Sequence, residues 1–420
     1  MPEAVPCPHG HSVLDFTDRD PFGFYTELSS LPSPVWDEKA EAWLVHDFRQ
    51  CLDCQRNEQR FANMYMDADP ITVAIKGGGA NITLSQGEDH LKLRRFHFRL
   101  LSVANVERYR SEHIGPVIDG LLDRLPATSP VDLAADYAAQ IPPRVICALL
   151  GMPTDDATVT EILDANEAIV RFIASGYRDM GLRDLALAAS KRLNEMLLPY
   201  VHARRDNPTG DFISRIWQEA PTEGINLDEA GVMGICREIF FAGSDTSVHG
   251  IANALYLILA EPALKARVMA DQDKALSSLV EESLRLMNVV QFRHRRCLAD
   301  TQIGDVTVRQ GHVIILLHAA ANRDAARFPC PNAVDLDRPD PTAHLAFGKG
   351  VRSCVGAQLA RVETQEALAR LLARYPDVAL SAEGPAPYFR ALYMRSMGPL
   401  WVALNSPLPA SQTFPQTSGL

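Results

Sequence analysis

Apolar residues recur every three or four positions through most of this 420-residue chain, and this helical period limits its fold more than any other feature. The period predicts helices near 88–122, 131–150, 155–205, 227–260, 262–288 and 355–375. Asn226 and Asp228 are suitable residues for starting the fourth helix, and Pro262 interrupts the pattern just after that helix. The sequence therefore predicts a mainly α fold.

Strand patterns are confined to two regions and predict a minor β-sheet subdomain. Residues 301–318 have the pattern of a hairpin, with Gly304 and Gly311 as turn residues, and residues 397–404 predict a short late strand. Residues 62–87 show weak periodicity and are interpreted as a long loop, of the kind that often acts as a lid or binding loop. The run Gly77-Gly78-Gly79 is not followed by Lys-Ser/Thr, which favours a flexible loop over a phosphate-binding loop.

Composition narrows the class of protein. The hydrophobic content of 47% and charged content of 22% are typical of a globular protein, and the net charge of −11 argues against a nucleic-acid partner. The apolar stretches are too short to span a membrane, and the first residues do not resemble a secretory leader. The eight cysteines are scattered, which favours reduced thiols and a cytoplasmic location. Cys51 and Cys54 resemble half of a zinc or redox site, but they are interpreted as incidental cysteines on a helix.

The stretch AFGKGVRSCVG, residues 346–356, surrounds Cys354 with glycines. Gly350 and Gly356 permit a tight turn and close approach of backbone amides to the sulfur. A helix that begins just after Cys354 would lower the pKa of its thiol, and Phe347 could shield the sulfur from water. These features suit a thiolate that binds a metal, although a buried cysteine in a glycine-rich turn fits the same residues.

Two helical segments carry polar residues in unusual places. Glu282 and Arg285 are spaced as an ion pair, and Glu281 is spaced so that it could compete for the same arginine. Within the long fourth helix, the hydroxyl of Thr246 can bond the carbonyl one turn earlier and open a groove beside Asp245. Such a groove suits proton relay to a bound oxygen species, whereas a surface kink is the plainer alternative.

Basic residues occur at four places where a buried dianion would need them. His90 and Arg94 share one helical face, Arg295 precedes the predicted hairpin, and Arg352 lies in the cysteine loop. Arginine–carboxylate bonds are strong and geometrically specific. For each residue taken alone, a solvated basic surface is an equally good interpretation.

The combination of these motifs resembles the bacterial cytochrome P-450 family of haem-thiolate monooxygenases. The resemblance runs roughly from residue 20 to residue 404 and implies the cytochrome P-450 fold. The segments that carry it are HLAFGKGVRSCVGAQLAR (344–361), EESLR (281–285), AGSDT (242–246), DHLKLRRF (89–96), RRCLAD (295–300) and ANRD (321–324). Two departures are Arg352, where histidine is frequent, and Val289, where proline is common.

The resemblance implies a role for each motif. Cys354 would be the proximal iron ligand of haem b, within the loop that also holds Phe347 and Gly356. Asp245 and Thr246 would deliver protons during oxygen activation, and Glu282 with Arg285 would stabilise the core beneath the haem. The haem propionates would be bound by His90, Arg94, Arg295 and Arg352.

The implied reaction is activation of O2 and hydroxylation or oxidative dealkylation of a small apolar substrate. Electrons would come from NAD(P)H through a separate reductase and ferredoxin, which would dock on a basic patch of a monomeric protein. Candidate patch residues are Lys92, Arg94, Arg95, Arg99, Lys349 and Arg361. The alternatives are a peroxide-driven peroxygenase, which would not need Asp245 and Thr246, and a non-catalytic haem sensor.

The resemblance also suggests a substrate pocket and the domain limits. The expected pocket residues are Phe240, Phe241, Ala242, Val289, Val290 and Phe292. Gln291, Arg293 and Arg171 are candidates for holding a polar group of the substrate. We expect an N-terminal arm over 1–19, one haem-binding domain over 20–404, and a flexible tail over 405–420.

Overall fold

The structure is a computed structural model that describes residues 7, 10–16, 21–126, 130–174, 179–381, 388–390 and 392–404. The tail predicted over 405–420 lies outside these residues, as does part of the arm predicted over 1–19. Within the described part of the arm, Ser12 caps a short 3-10 helix, Val13–Asp15, and donates a hydrogen bond to Asp37 at 2.8 Å. Val13 and Phe16 are buried, so this part of the arm packs on the core.

Fifteen α-helices account for most of the described chain. In order they are α1 (Pro21–Leu28), α2 (Phe48–Arg56), α3 (Pro70–Ile75), α4 (Gly87–Leu100), α5 (Val103–Tyr109), α6 (Gly115–Leu122), α7 (Ile141–Leu149), α8 (Asp156–Ala174), α9 (Met180–Asp206), α10 (Phe212–Glu219), α11 (Glu229–Ala260), α12 (Pro262–Ala270), α13 (Gln272–Leu286), α14 (His318–Ala321) and α15 (Ala357–Arg374). A five-residue π-helix, Arg110–Ile114, joins α5 to α6. The predicted mainly α fold is confirmed.

Twelve short strands form small sheets in the described chain. They are β1 (Val35–Asp37), β2 (Ala42–Val45), β3 (Phe61–Asn63), β4 (Val131–Asp132), β5 (Arg293–Cys297), β6 (Thr301–Ile303), β7 (Val306–Val308), β8 (Val313–Leu316), β9 (Ala379–Leu380), β10 (Tyr388–Arg390), β11 (Arg395–Met397) and β12 (Trp401–Ala403). The largest sheet has the order β1-β2-β8-β5-β3, and a three-stranded sheet has the order β4-β12-β9. The pairs β6–β7 and β10–β11 form two further sheets.

Helix α11 is the centre of the fold. Its 32 residues begin after Asp228, whose side chain accepts a hydrogen bond from the backbone N–H of Gly231 at 2.8 Å. It packs against α7, α9, α13 and α15, and a helix that is enclosed in this way needs apolar residues on nearly every face. None of the helices in the described ranges has the length and hydropathy needed to cross a membrane.

Three local predictions differ from the structure. Residues 131–140 are not an α-helix, because Val131 pairs with Val402 in a sheet whose strands are distant in sequence. The loop predicted over 62–87 contains α3, which Asp69 caps and Pro70 starts. The hairpin predicted over 301–318 is limited to β6 and β7 around Gly304, and β8 instead pairs with β2 and β5.

Candidate active site

The loop before α15 is shaped by two glycines with left-handed backbone conformations. Gly348 has φ +63° and Gly350 has φ +76°. A Cβ atom on Gly350 would lie 2.8 Å from the carbonyl oxygen of Gln55, so the loop backbone can approach α2 only because this residue has no side chain. The loop then turns back, and the N–H of Cys354 donates to the carbonyl of Phe347 at 2.8 Å. This geometry holds Cys354 at a defined position three residues before α15.

The Cys354 thiol lies in an electropositive environment. Solvent reaches the residue, yet the protein packed around it raises the thiol pKa through desolvation. A hydrogen bond from the Gly356 backbone N–H lowers the pKa, as do the charges of Arg293, Arg361 and Arg94. A Cβ atom on Gly356 would come within 3.9 Å of the sulfur. The surroundings therefore keep the pKa of the Cys354 thiol lower than burial alone would.

Phe347 is held by a network of charged residues on the inner side of the cysteine loop. The guanidinium of Arg361 lies 4.7 Å from the centre of the Phe347 ring and donates to Glu281 at 2.5 and 2.9 Å. His344 Nε2 lies 2.9 Å from the same carboxylate. Although burial alone would raise it, the bonds from His344 and Arg361 lower the pKa of Glu281 to about 2.

Glu282, and not Glu281, is the partner of Arg285. Arg285 donates to both carboxylate oxygens of Glu282, and it also donates to the carbonyls of Asn322, Pro331 and Ala333. Glu282 further accepts hydrogen bonds from Arg338 and from the backbone N–H of Asp335. The spacing alone did not show which glutamate pairs with Arg285. The contacts with the segment 322–338, which packs on α13, select Glu282.

The four predicted cations lie near one another beside the cysteine loop. Arg94 donates to the carbonyl and the hydroxyl of Ser353 at 2.7 and 2.6 Å. Arg352 pairs with Glu58 at 2.5 Å and donates to Gln86 at 2.9 Å. Burial, followed by the charge of Arg352, lowers the pKa of His90 to about 4. Burial, followed by the charge of Arg293, lowers the pKa of Arg295 to about 10, and Arg352 acts on it in the same direction.

Asp245 and Thr246 lie on α11, which continues as an α-helix through this region. The Thr246 hydroxyl donates to the carbonyl of Ala242 at 2.7 Å, as the sequence predicts, although the helix stays regular. Asp245 Oδ2 lies 3.6 Å from Nε2 of His249, one turn later. Burial lowers the pKa of His249, while Asp245 acts in the opposite direction. A carboxylate, a hydroxyl and an imidazole therefore share one stretch of helix.

The predicted pocket residues divide between separate clusters. Val289 and Val290 pack with Val170 and Met394, and Phe241 and Tyr393 lie against this cluster. Ala242 is exposed beside them on α11. Phe240 packs in the main core instead, since successive helix residues point in different directions, and Phe292 packs against Phe16.

The three residues that were expected to hold a polar group of the substrate have other contacts. Gln291 is buried and bonds to the Tyr25 hydroxyl and the Asn288 carbonyl. The Arg171 side chain is 63% exposed, and it lies 3.8 Å from Glu167 on the protein surface. Arg293 is exposed on β5, and its charge acts on Cys354 and His318. None of these contacts joins Gln291, Arg171 or Arg293 to the cluster of Val170, Val289, Val290 and Met394.

A family model described as cytochrome P450 matches residues 54–385. The chain belongs to the cytochrome P450 family. Curated relatives include the vitamin D(3) 25-hydroxylase of Pseudonocardia autotrophica, 32% identical over 70% of each chain. The mycinamicin IV hydroxylase/epoxidase of Micromonospora griseorubida is 32% identical over 84% of this chain and 87% of that relative. These relatives support a bacterial haem-thiolate monooxygenase.

Solved structures of other P450s share the fold. P450BioI, in complex with a fatty acid-ligated acyl carrier protein, matches with a TM-score of 0.83 and 23% identity, over 93% of this P450 and 100% of that chain. CYP109E1 from Bacillus megaterium, in complex with corticosterone, matches with a TM-score of 0.81 and 23% identity over the same shares. The predicted cytochrome P-450 fold is confirmed.

The donor set of this P450 fits the haem that its family binds. Arg94, Arg352 and Arg295 raise the positive charge of one region, which a dianionic group would balance. His318, which the sequence analysis did not single out, lies in the same region, and its Nε2 atom is buried without a hydrogen-bond partner. Burial, with Arg293 and Arg295, lowers the pKa of His318 to about 3. One accessible thiol and a set of cations are what a haem with two propionates requires.

Besides His318, three further residues of the site were missed by sequence reasoning. Lys76 lies against Phe241, and His249 lies beside Asp245. Glu363 on α15 is buried, and burial raises its pKa to about 8, which a bond from Ser247 only partly offsets. The i, i+4 spacing of Asp245 and His249 was a signal that could have been read from the sequence. Nothing local to Lys76 or Glu363 indicates that either residue is buried.

Proposed function

We propose that this P450 inserts one oxygen atom from O2 into a small apolar substrate, by hydroxylation or oxidative dealkylation, with Cys354 as the proximal ligand of haem b. The observation that carries the proposal is the geometry of the cysteine loop: Cys354 is exposed, its N–H donates to the Phe347 carbonyl at 2.8 Å, and Arg94 donates to the adjacent Ser353 carbonyl at 2.7 Å. The start of α15 adds its positive end to the same site. When bound, the haem supplies the redox chemistry that activates O2.

The remaining residues of the cysteine loop would exclude water and hold the cofactor. Phe347, fixed by Arg361, would shield the sulfur, and Gly356 would leave room beside it. His90, Arg94, Arg295 and Arg352 would bind the propionates, since they are already gathered next to the loop. Arg352 would do so from a position also fixed by Glu58.

Asp245 and Thr246 would supply protons on the substrate side. The Thr246 hydroxyl is held by Ala242, which directs its oxygen along α11, and the Asp245 carboxylate lies on the adjacent position. A positioned carboxylic acid and hydroxyl can pass a proton from solvent to a reacting oxygen. Glu282 and Arg285 would have a structural role, because both are fully buried and bonded to each other.

We further propose that electrons from NAD(P)H arrive through a ferredoxin-type partner. Of the predicted docking residues, Arg94 and Arg361 are directed inward, and Arg99 is paired with Glu219 and Glu223. Arg95 is exposed, and Lys92 and Lys349 are partly exposed. The docking surface would therefore depend on Arg95, and Arg95→Glu should slow reduction by the ferredoxin without altering ligand binding.

The proposal extends to cellular location and assembly. Free thiols at all eight cysteines favour a reducing compartment such as the cytoplasm. The net charge of −11 disfavours a nucleic-acid partner. We propose a monomer with one haem-binding domain over residues 20–404 and no membrane partner.

The experiment that tests the ligand is the spectrum of the reduced carbon monoxide complex. Cys354→Ala should abolish the thiolate-type spectrum, whereas Cys330→Ala, which removes another exposed thiol, should leave it unchanged. Survival of the spectrum in Cys354→Ala would show that another group binds the iron. If the enzyme turned over with peroxide but not with ferredoxin, reductase and NAD(P)H, it would be a peroxygenase and not a monooxygenase. Failure of an apolar ligand library to shift the iron spin state, with no turnover, would instead indicate a haem sensor.

A further inference from the structure

Lys76 is a buried lysine between two aromatic rings. It follows α3 directly, and only 5% of its surface is exposed. Its Nζ atom lies 4.3 Å from the centre of the Tyr65 ring and 5.0 Å from the centre of the Phe241 ring. Such cation–π contacts contribute up to about 2 kcal/mol when the cation is removed from water. They do not satisfy the three N–H donors of the ammonium group.

No acidic side chain that the structure describes pairs with Lys76, and its ammonium makes no hydrogen bond to the described side chains or backbone. This differs from Arg237, the buried cation next to it, which donates to Ser190, Asn194 and the Ile75 carbonyl. Although most of the Lys76 side chain is buried, its Nζ atom is not among the fully enclosed polar atoms without a partner, so the ammonium group faces open space. The N–H donors of Lys76 are therefore available to bind a ligand.

The position of Lys76 relates it to the substrate side of the site. Phe241, which it contacts, packs against the cluster of Val170, Val289, Val290 and Met394. Phe241 also precedes Asp245 by four residues on α11, so the two side chains lie on one face, roughly 5–6 Å apart at their Cβ atoms. An apolar surface thus lies between the ammonium group and the proposed proton-delivery pair.

The backbone of Lys76 is fixed by the glycines that follow it. A Cβ atom on Gly77 would lie 2.6 Å from the Cβ of Arg237, and one on Gly79 would collide with the carbonyl of Ala230. Gly77, Gly78 and Gly79 all have positive φ, at +97°, +59° and +55°. The segment is therefore packed tightly on α11, unlike the flexible loop that its composition predicts. The backbone that carries Lys76 therefore has its position before any ligand arrives.

We propose that Lys76 binds the carboxylate of an otherwise apolar, monoanionic substrate and directs its opposite part toward Asp245 and Thr246. One ammonium group balances one negative charge, which favours a carboxylic acid over a phosphate dianion. The aromatic rings on two sides of Nζ and the valine cluster beyond Phe241 suit an aliphatic or aromatic body. This inference rests on the proposed function and specifies its substrate class.

The test compares acids with their uncharged amides in spectral titrations of the haem-loaded enzyme. The probes are decanoic acid and 4-butylbenzoic acid, each with its primary amide, and the readout is the dissociation constant from the spin-state shift. The wild type should bind each acid at least about tenfold more tightly than the amide, equivalent to about 1.4 kcal/mol. Lys76→Met should remove this preference and leave amide binding within about twofold. Lys191→Met, on the exposed face of α9, is the control for the loss of one charge and should bind all four ligands as the wild type does.

Three results would overturn the inference. If the wild type bound the acids and the amides equally tightly, the proposal that the substrate is an anion would be wrong. A preference that persists in Lys76→Met would assign the anion to another residue. If Lys76→Met weakened acids and amides alike, or reduced haem retention, Lys76 would have a structural or propionate-binding role. The carbon monoxide spectrum of Lys76→Met reports thiolate ligation separately, so failure here is distinguishable from failure of the proposed function.

Discussion

Arg285 donates to the two carboxylate oxygens of Glu282 at 2.7 and 2.8 Å, and both side chains have no exposed surface. The pair joins α13 to the segment 322–338 through the carbonyls of Asn322, Pro331 and Ala333. Because these bonds attach the segment 322–338 to α13, the pair also fixes the position of the residues that lead into the cysteine loop.

Removing one member of this pair should strongly destabilise the fold. Glu282→Ala leaves the buried Arg285 without a counter-charge, and we expect a loss of about 3–5 kcal/mol in the free energy of unfolding by urea. Asp300→Asn is the matched control, because Asp300 and Arg309 form a pair with side chains 51% and 57% exposed. The control should lose no more than about 1 kcal/mol. Equal losses in the two variants would contradict a structural role for Glu282.

Glu281 should make stability depend on pH in the acid range. Its pKa is lowered from 4.5 to about 2, since the bonds from His344 and Arg361 outweigh burial. A lowered folded-state pKa means that this stabilisation is present above pH 4.5 and is lost as pH falls toward 2. Glu281→Gln should therefore be less stable than the wild type at pH 6 and show a smaller further loss in urea midpoint on acidification. Parallel pH profiles for the two proteins would refute this role.

Asp245→Asn should reduce turnover with the redox partners by about 100-fold, because the amide cannot release a proton to the reacting oxygen. Substrate binding, measured by the spin-state shift, should change little. Asp305→Asn, at an exposed turn between β6 and β7, is the control and should retain full turnover. If turnover were unchanged in Asp245→Asn, another group would deliver the proton. His249 and Glu363 would then be the next residues to substitute.

Alanine substitutions at two glycines should have opposite effects. Gly350→Ala places a side chain at φ +76° and 2.8 Å from the Gln55 carbonyl, and we expect a loss of about 1–3 kcal/mol of stability. Gly120 lies in α6 with nothing within 4 Å of its Cβ position, so Gly120→Ala should stabilise by about 0.5–1 kcal/mol. Thermal unfolding of both variants measures the difference. A gain in stability for Gly350→Ala would contradict the loop geometry.

The sequence predicted the parts of the site that are carried by local motifs. The Gly350-to-Gly356 loop and the Thr246 bond to Ala242 depend on neighbours within one turn, so their residue types are informative. The helix predicted through 131–140 was wrong because pairing of Val131 with distant Val402 overrides the local pattern. Glu281 and Glu282 could not be told apart, since their partners Arg361 and Arg338 come from elsewhere in the chain.

Burial was the property that local patterns could not supply. Lys76 looks like an ordinary polar residue before a glycine run, and only the folded contacts with Tyr65 and Phe241 give it a role. The adjacent aromatic residues Phe240 and Phe241 could not be assigned to core or pocket without the rotation of α11 about its own axis.

The close contact between the glycine segment and α11 has a consequence for directed evolution of this enzyme. Gly77, Gly79 and Gly234 have no room for a side chain, so mutant libraries that randomise them would yield mainly misfolded clones. Tyr65 and Val170 lie near the ammonium group and the valine cluster without that restriction. A library meant to change which acids the enzyme oxidises should vary these two positions and leave the glycines intact.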